Sequence, residues 1–257
     1  MENIDERREQ GRGLDGRDGV REDLEGRGAQ DPVGRRTWMV LLAVVLASAL
    51  GHLLLFPQMP EQVPTHWGAD GMVDGWSTRL GALGLSTLMP LAVLLLLRVV
   101  PHIDPKGRSY LAFGGIYRLF CVFMVVLLTA VPWMTDLCAL GVVPVDGGFV
   151  GSAVTLAVAA LFVALGNYAP RIRHNYTFGV KTPWALHDEG NWRLTHRVAG
   201  GVFVASGVLT IAAVPLSGLW RPLPTVMLVG TLLVGSVVLF AYSYLVFRNG
   251  NRPLRTR

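Results

Sequence analysis

The stretch Trp38-Met39-Val40-Leu41-Leu42-Ala43-Val44-Val45-Leu46-Ala47-Ser48-Ala49-Leu50-Gly51-His52-Leu53-Leu54-Leu55-Phe56 contains no Asp, Glu, Lys or Arg. It is near the length of about 20 apolar residues needed to cross a hydrocarbon core roughly 30 Å thick. Five further apolar runs of similar length follow, at Leu80–Val100, Tyr110–Val131, Phe149–Leu165, Val198–Leu219 and Leu223–Phe247, the first two of these each holding a single Arg. None alternates in the manner of a barrel strand, and open sheet edges do not face lipid, so the runs are predicted to be helices. The mean hydropathy of +0.43 over 257 residues agrees with a surface that meets lipid. The expected fold is all-α: a polytopic integral membrane protein with six transmembrane helices. A soluble enzyme is excluded.

Residues 1–36 differ in kind. Arg, Asp, Glu and Gly dominate them, apolar residues are scattered, and they read as a disordered tail. Eight Arg stand there against ten acidic residues, so the basic excess of the chain belongs to its membrane body. Arg35-Arg36 before an apolar run that contains Ala47-Ser48-Ala49 has the look of an export signal. The long polar region before it and the continuation of the run to Phe56 favour an uncleaved span. After the tail, the organisation reads as an N-terminal three-helix region (37–148), a C-terminal three-helix region (149–247) and a short basic tail (248–257).

Positive residues in short connections set orientation, because they resist translocation. Arg35 and Arg36 precede the first run; Lys106 and Arg108 follow the second; Arg171, Arg173, Lys181, Arg193 and Arg197 lie between the fourth and fifth; Arg248, Arg252, Arg255 and Arg257 follow the sixth. The alternate connections hold only Arg79 and Arg221. Both termini are therefore expected in the cytoplasm of a bacterial plasma membrane. Arg98 reads as a snorkelling anchor, while Arg118 either snorkels or pairs inside the bundle. Gly151, Ala157, Ala160, Gly200, Gly201, Ala205 and Gly207 offer close helix contacts. Cys121 and Cys138 lie too far apart along one helix to form a disulfide.

Two polar connections carry the information about function. The outward one, residues 57–79, contains Pro64, His66, Trp67, Gly71, Asp74 and Gly75, and its density of Pro, Gly and Asp predicts a structured set of turns. Its Asp-Gly pairs lack the regular oxygen spacing of a calcium loop, and Trp67 and Trp76 suit interfacial anchoring.

The long connection 167–197 contains Asn175, Gly179, Lys181, Thr182, Pro183, Trp184, Glu189, Trp192, Thr195, His196 and Arg197. Thr182 before Pro183 is a helix start, since Thr caps free N–H groups and Pro is preorganised at the first helical position. Gly190 is expected to interrupt or weaken that helix, with a second helical stretch from about Asn191 running into the fifth span. Trp192 and His196 then share a face, as do Glu189 and Arg193 if the helix is continuous. The segment is either a Trp-anchored basic stretch against anionic lipid or a polar surface that binds a peptide, a regulator or the bundle's own polar interior. His174, His187 and His196 with Asp188 and Glu189 match no standard zinc spacing. No phosphate loop, His-Glu-x-x-His motif or nucleophile turn is present, so no enzyme, metal or cofactor is expected.

Gly166-Asn167-Tyr168-Ala169-Pro170, Asn175 to Leu186 and Trp192-Arg193-Leu194-Thr195-His196-Arg197 closely resemble the SdpI family of bacterial membrane proteins, named for an immunity protein against a secreted antimicrobial toxin. The outward Pro64-Thr65-His66-Trp67 and Gly71-Met72-Val73-Asp74-Gly75-Trp76 resemble the domain of unknown function that often precedes it. Lys181 stands where that family usually has Arg, and Ala185 where it often has Thr. The resemblance implies an immunity or signal-transduction protein of six helices. Its implied partners are the lipid bilayer, a peptide toxin outside and a cytoplasmic transcriptional repressor, without direct nucleic-acid contact. Transport of a small solute is the alternative class, disfavoured by spans made mostly of Leu, Val and Ala.

Overall fold

A computed structural model describes residues 31–145 and 148–253. Helices α1 (Arg35–Leu55), α2 (Arg79–Ile103), α3 (Ser109–Ala112), α4 (Gly114–Ala139), α5 (Phe149–Tyr168), α6 (Pro183–His187), α7 (Glu189–Ala213) and α8 (Leu223–Arg248) account for most of it. All but the short α3 and α6 are long and apolar enough to span a bilayer, in agreement with the six runs read from sequence. This is a multi-pass membrane protein. Leu46, Leu50 and Leu54 of α1 and Leu233, Val234 and Val237 of α8 are exposed, an apolar exterior that only a lipid solvent accommodates.

The helix ends follow local chemistry. Thr78 caps α2 by accepting a hydrogen bond from the Gly81 amide, Thr182 caps α6 through the Ala185 amide, and Asp188 caps α7 through the Asn191 amide. The break between α6 and α7 therefore falls at Asp188, and Gly190 lies inside the first turn of α7 rather than interrupting a helix. A capping carboxylate outweighs one poor helix former. The third span runs two turns past the expected Val131 to Ala139, with Pro132 inside it.

Between α1 and α2 the expected turns are replaced by an antiparallel hairpin, β1 (Gln62–Trp67) and β2 (Val73–Thr78). Its register shifts between Pro64 and Trp67, where Gly75 faces His66. Met59 and Val63 are buried beneath it against Ala82. The Gly71 loop has φ +76 and approaches Gly148 so closely that a Cβ at position 71 would lie 2.7 Å from the Gly148 Cα.

At the opposite end, which carries the described chain ends, the expected tail boundary moves. Asp31 accepts a hydrogen bond from the Val33 amide, Val33 is buried, and the first helix starts at Arg35. Residues 31–36 are thus part of the folded body, while the expectation for 1–30 lies outside the described residues. Arg98, read as a lipid anchor, pairs with Asp31 and lies 5.5 Å over the Trp38 ring. Arg118 is exposed and has no carboxylate partner among the described residues. Cys121 and Cys138 are free and buried.

Helices α5 and α7 cross at backbone contact. A Cβ at Gly166 or Gly200 would sit 2.8 Å from the other's carbonyl oxygen, and one at Gly207 would sit 2.5 Å from the Ala159 carbonyl. This crossing holds the long connection of residues 169–188 over a core of Tyr110, Phe113, Tyr117, Ile172, Ala185 and Trp192.

Candidate functional site

The residues singled out in the long connection divide between the interior and the surface. Asn175, Thr182, Trp192, Thr195 and His196 are buried, whereas Gly179, Lys181, Pro183, Glu189 and Arg197 are exposed. The buried members belong to the polar interior of the bundle, and the exposed members form its rim.

Asn175 organises the first half. Its Oδ1 accepts from the amides of Thr177 (3.0 Å) and Phe178 (2.6 Å), and its Nδ2 donates to the carbonyls of Arg173 (2.9 Å) and Phe178 (2.8 Å). A fully buried amide with these four bonds, and a fifth accepted from the Tyr110 hydroxyl at 3.4 Å, fixes a tight loop. Asp104, just past α2, clamps the same loop: its Oδ2 accepts from the Tyr176 amide and the Thr177 hydroxyl, both at 2.9 Å, and its Oδ1 accepts from the Lys106 amide at 2.8 Å. Burial pushes the Asp104 carboxyl up, but these donors outweigh it and hold the group below the usual carboxylate range.

Trp192 and His196 stack at 4.0 Å on one face of α7, as their spacing predicts. Trp192 Nε1 donates to the Ile172 carbonyl at 2.9 Å. His196 Nδ1 faces the Trp192 carbonyl at 2.9 Å and must donate, while Nε2 accepts from the Val180 amide at 3.1 Å. The ring is thus the neutral Nδ1–H tautomer, serving as a structural clip. Gly179 has φ +125, and a Cβ there would lie 2.4 Å from His196 Nε2.

A second network joins α6, α7 and α8. Asn191 Nδ2 donates to the Ser243 carbonyl (2.9 Å) and to Asn251 Oδ1 (3.2 Å); its Oδ1 accepts from Thr195 (3.0 Å) and from the Ser243 hydroxyl (2.7 Å). Ser243 spends its proton there, so Thr182 donates to it, at 2.5 Å. Trp184 packs among Phe240, Tyr244 and Phe247 of α8. On the rim, Lys106 Nζ lies 2.7 Å from His174 Nδ1 and 3.2 Å from Glu189 Oε1. Glu189 and Arg193 share a face of the continuous α7, and the Glu189 carboxylate pairs with Lys106. Lys181 reaches the Thr177 carbonyl.

Asp104, Asn191 and Ser243 were not singled out from sequence, and neither was the pair His52–Asp136. His52 Nδ1 lies 2.6 Å from Asp136 Oδ2, both side chains buried, with Trp133 stacked on the imidazole at 4.5 Å. One signal pointed to it: Leu41, Val45, Ser48 and His52 form a buried stripe at helical spacing.

In the hairpin, His66 Nδ1 lies 2.5 Å from Asp74 Oδ1 in an exposed position. Trp67 Nε1 donates to the Val145 carbonyl at 3.2 Å, which ties the hairpin to the connection before α5. Pro64 faces Trp76 across the strands. Among the described residues no cluster of His, Cys, Asp and Glu fits a metal ion.

Residues 171–244 match the model of the SdpI/YfhL protein family, the region that holds both buried networks. This part of the chain is similar to the SdpI/YfhL family. Residues 42–89, which include the hairpin, match a domain of unknown function (DUF1648). The SdpI likeness extends further: Immunity protein SdpI of Bacillus subtilis (strain 168) is 25% identical over 215 residues, covering 83% of this chain and 98% of that protein. No solved structure matches the chain.

Proposed function

We propose that this protein gives its host tolerance to, or senses, a membrane-active peptide or other envelope stress, and does so without catalysing a reaction. The observation that carries the reading is the likeness to Immunity protein SdpI along 98% of that protein's length. The Lys and Arg distribution supports a plasma-membrane orientation with both termini in the cytoplasm and the hairpin outside. In that orientation the hairpin, with His66, Trp67 and Asp74, meets an external peptide. The exposed Lys181, Glu189 and Arg197 meet a cytoplasmic regulator such as a transcriptional repressor, with the buried residues beneath them as scaffold.

The test is survival of a sensitive bacterial host expressing the protein against a panel of membrane-active peptides. A Lys181→Gln/Arg197→Gln variant and a Thr182→Ala/Trp192→Ala variant are run beside it at matched membrane level. Protection by the wild type that both variants weaken is the expected result; no protection against any peptide overturns immunity.

Coupled transport of a small solute is a second reading, favoured by one observation. The His52–Asp136 pair is ionisable and buried inside the bundle, and such pairs mark ion paths in transporters. Proteoliposomes that accumulate no candidate solute under a pH gradient remove it.

A further inference from the structure

We propose that the cleft between the starts of α1 and α4 and the end of α5 is a binding site for one anionic phospholipid. The cleft has a volume of about 760 Å³, with Thr37, Arg118, Tyr168 and Arg171 at its mouth and Leu119 and Val122 along its wall. This inference stands on its own geometry and does not depend on the immunity reading.

Depth comes first. Thr37 is in the first turn of α1, Arg118 is the fifth residue of α4, and Tyr168 ends α5. Three helix termini at the same end of the bundle place these groups at one level, where headgroups meet the protein. From there α4 continues inward, so Val122 lies one turn deeper than Arg118 on the same face.

Charge comes second. The cleft brings two guanidinium groups to one mouth, and neither has a carboxylate within salt-bridge distance among the described residues. Arg171 lies 5.5 Å over the Tyr168 ring, which holds its plane while leaving its N–H fork free to donate. Paired arginines match a phosphodiester, and they disfavour a headgroup that carries its own cation.

Shape comes third. Gly115 lines the cleft, and a Cβ there would meet nothing within 4 Å, so the space beside the mouth is open. Leu119 is exposed on the wall below. A soluble phosphate would leave that apolar wall wet, whereas an acyl chain covers it. A phosphate above a hydrocarbon chain is the chemistry of an anionic lipid such as phosphatidylglycerol.

The experiment is competitive retention on the full chain. Purified protein is exposed to equal amounts of phosphatidylglycerol and phosphatidylcholine, and bound lipid is counted by native mass spectrometry. The wild type is expected to favour phosphatidylglycerol by about tenfold or more, the scale conferred by two juxtamembrane arginines. Arg118→Gln/Arg171→Gln brings the two lipids to parity, and Gly115→Leu, which keeps both charges but fills the cleft, does the same. Arg193→Gln removes one charge from an exposed position outside the cleft, the matched control for Arg118→Gln alone, and keeps the preference. Should the double variant fail to fold, Arg118→Gln alone and Gly115→Leu decide. Equal retention of both lipids by the wild type overturns the proposal. So does an equal loss in Arg193→Gln, which marks a diffuse basic surface, and so does displacement of lipid by glycerol phosphate at matched concentration, which marks a soluble phosphate site.

Discussion

The imidazole of His52 and the carboxylate of Asp136 meet 84 positions apart in sequence, at 2.6 Å, between α1 and α4. His52 Nε2 is buried and has no hydrogen-bond partner among the described residues, so Asp136 alone satisfies the ring. Asp136→Ala leaves both ring nitrogens without a partner and is expected to cost about 3 kcal/mol, the scale for breaking one side of a buried pair. Replacing both residues, His52→Phe with Asp136→Leu, removes the polar groups together and should recover most of that loss. Unfolding of the three variants in detergent, followed by circular dichroism, tests this. A double variant as unstable as Asp136→Ala refutes it.

Gly179→Ala places a methyl group against His196 Nε2 at a backbone angle that L residues rarely adopt. The expected destabilisation is about 2–3 kcal/mol, from strain and overpacking together. His196→Ala clears the space but leaves the backbone angle, so Gly179→Ala in that background should remain costly, by about 1 kcal/mol. Thermal unfolding of the four chains gives both figures.

Thr182, Ser243 and Asn191 form a relay of hydroxyls and amide across three helices. Thr182→Ala and Ser243→Ala should therefore be non-additive, with a coupling of about 1 kcal/mol, as expected for neighbours in one hydrogen-bond network. Additive losses in a double-mutant cycle contradict the relay.

Asp104 gives the loop an acid limit. Its carboxyl is held below the ordinary value of 3.8, so the folded state favours the ionised form. The stability this adds is fully present above the ordinary value and is lost as pH falls through the lower, folded one. Protection of the Tyr176, Thr177 and Phe178 amides against hydrogen exchange, corrected for the intrinsic rate, should fall below about pH 4, and Asp104→Asn should be less protected at neutral pH and lose most of the acid step. An unchanged profile in Asp104→Asn denies Asp104 this part.

The spans were legible because about 20 consecutive apolar residues have one outcome in a membrane. The start of α6 was legible because Thr182-Pro183 is purely local chemistry. The hairpin was not: β1 contains Pro64, and its burial does not alternate along the strand, so the period-two signal is missing. Gly190 does not break the helix because the cap at Asp188 outweighs its low helix propensity. Within the candidate site, the motif residues were visible, but which of them turn inward was not. Asn175 satisfies its loop through local bonds, yet its burial depends on Asp104 and Tyr110, contributed from outside the connection. Likewise Asn191 finds Ser243 from 52 positions away, a pairing that no spacing rule encodes.

Trp133 lies face to face with the His52 ring, and Gly51 leaves room for it: a Cβ at that position would fall 2.6 Å from the indole. An imidazole ring stacked on an indole alters its emission. The difference in fluorescence between the wild type and Trp133→Phe therefore reports whether this ring contact is intact, so a label-free optical probe of the α1–α4 junction is already built into the bundle beside its buried pair.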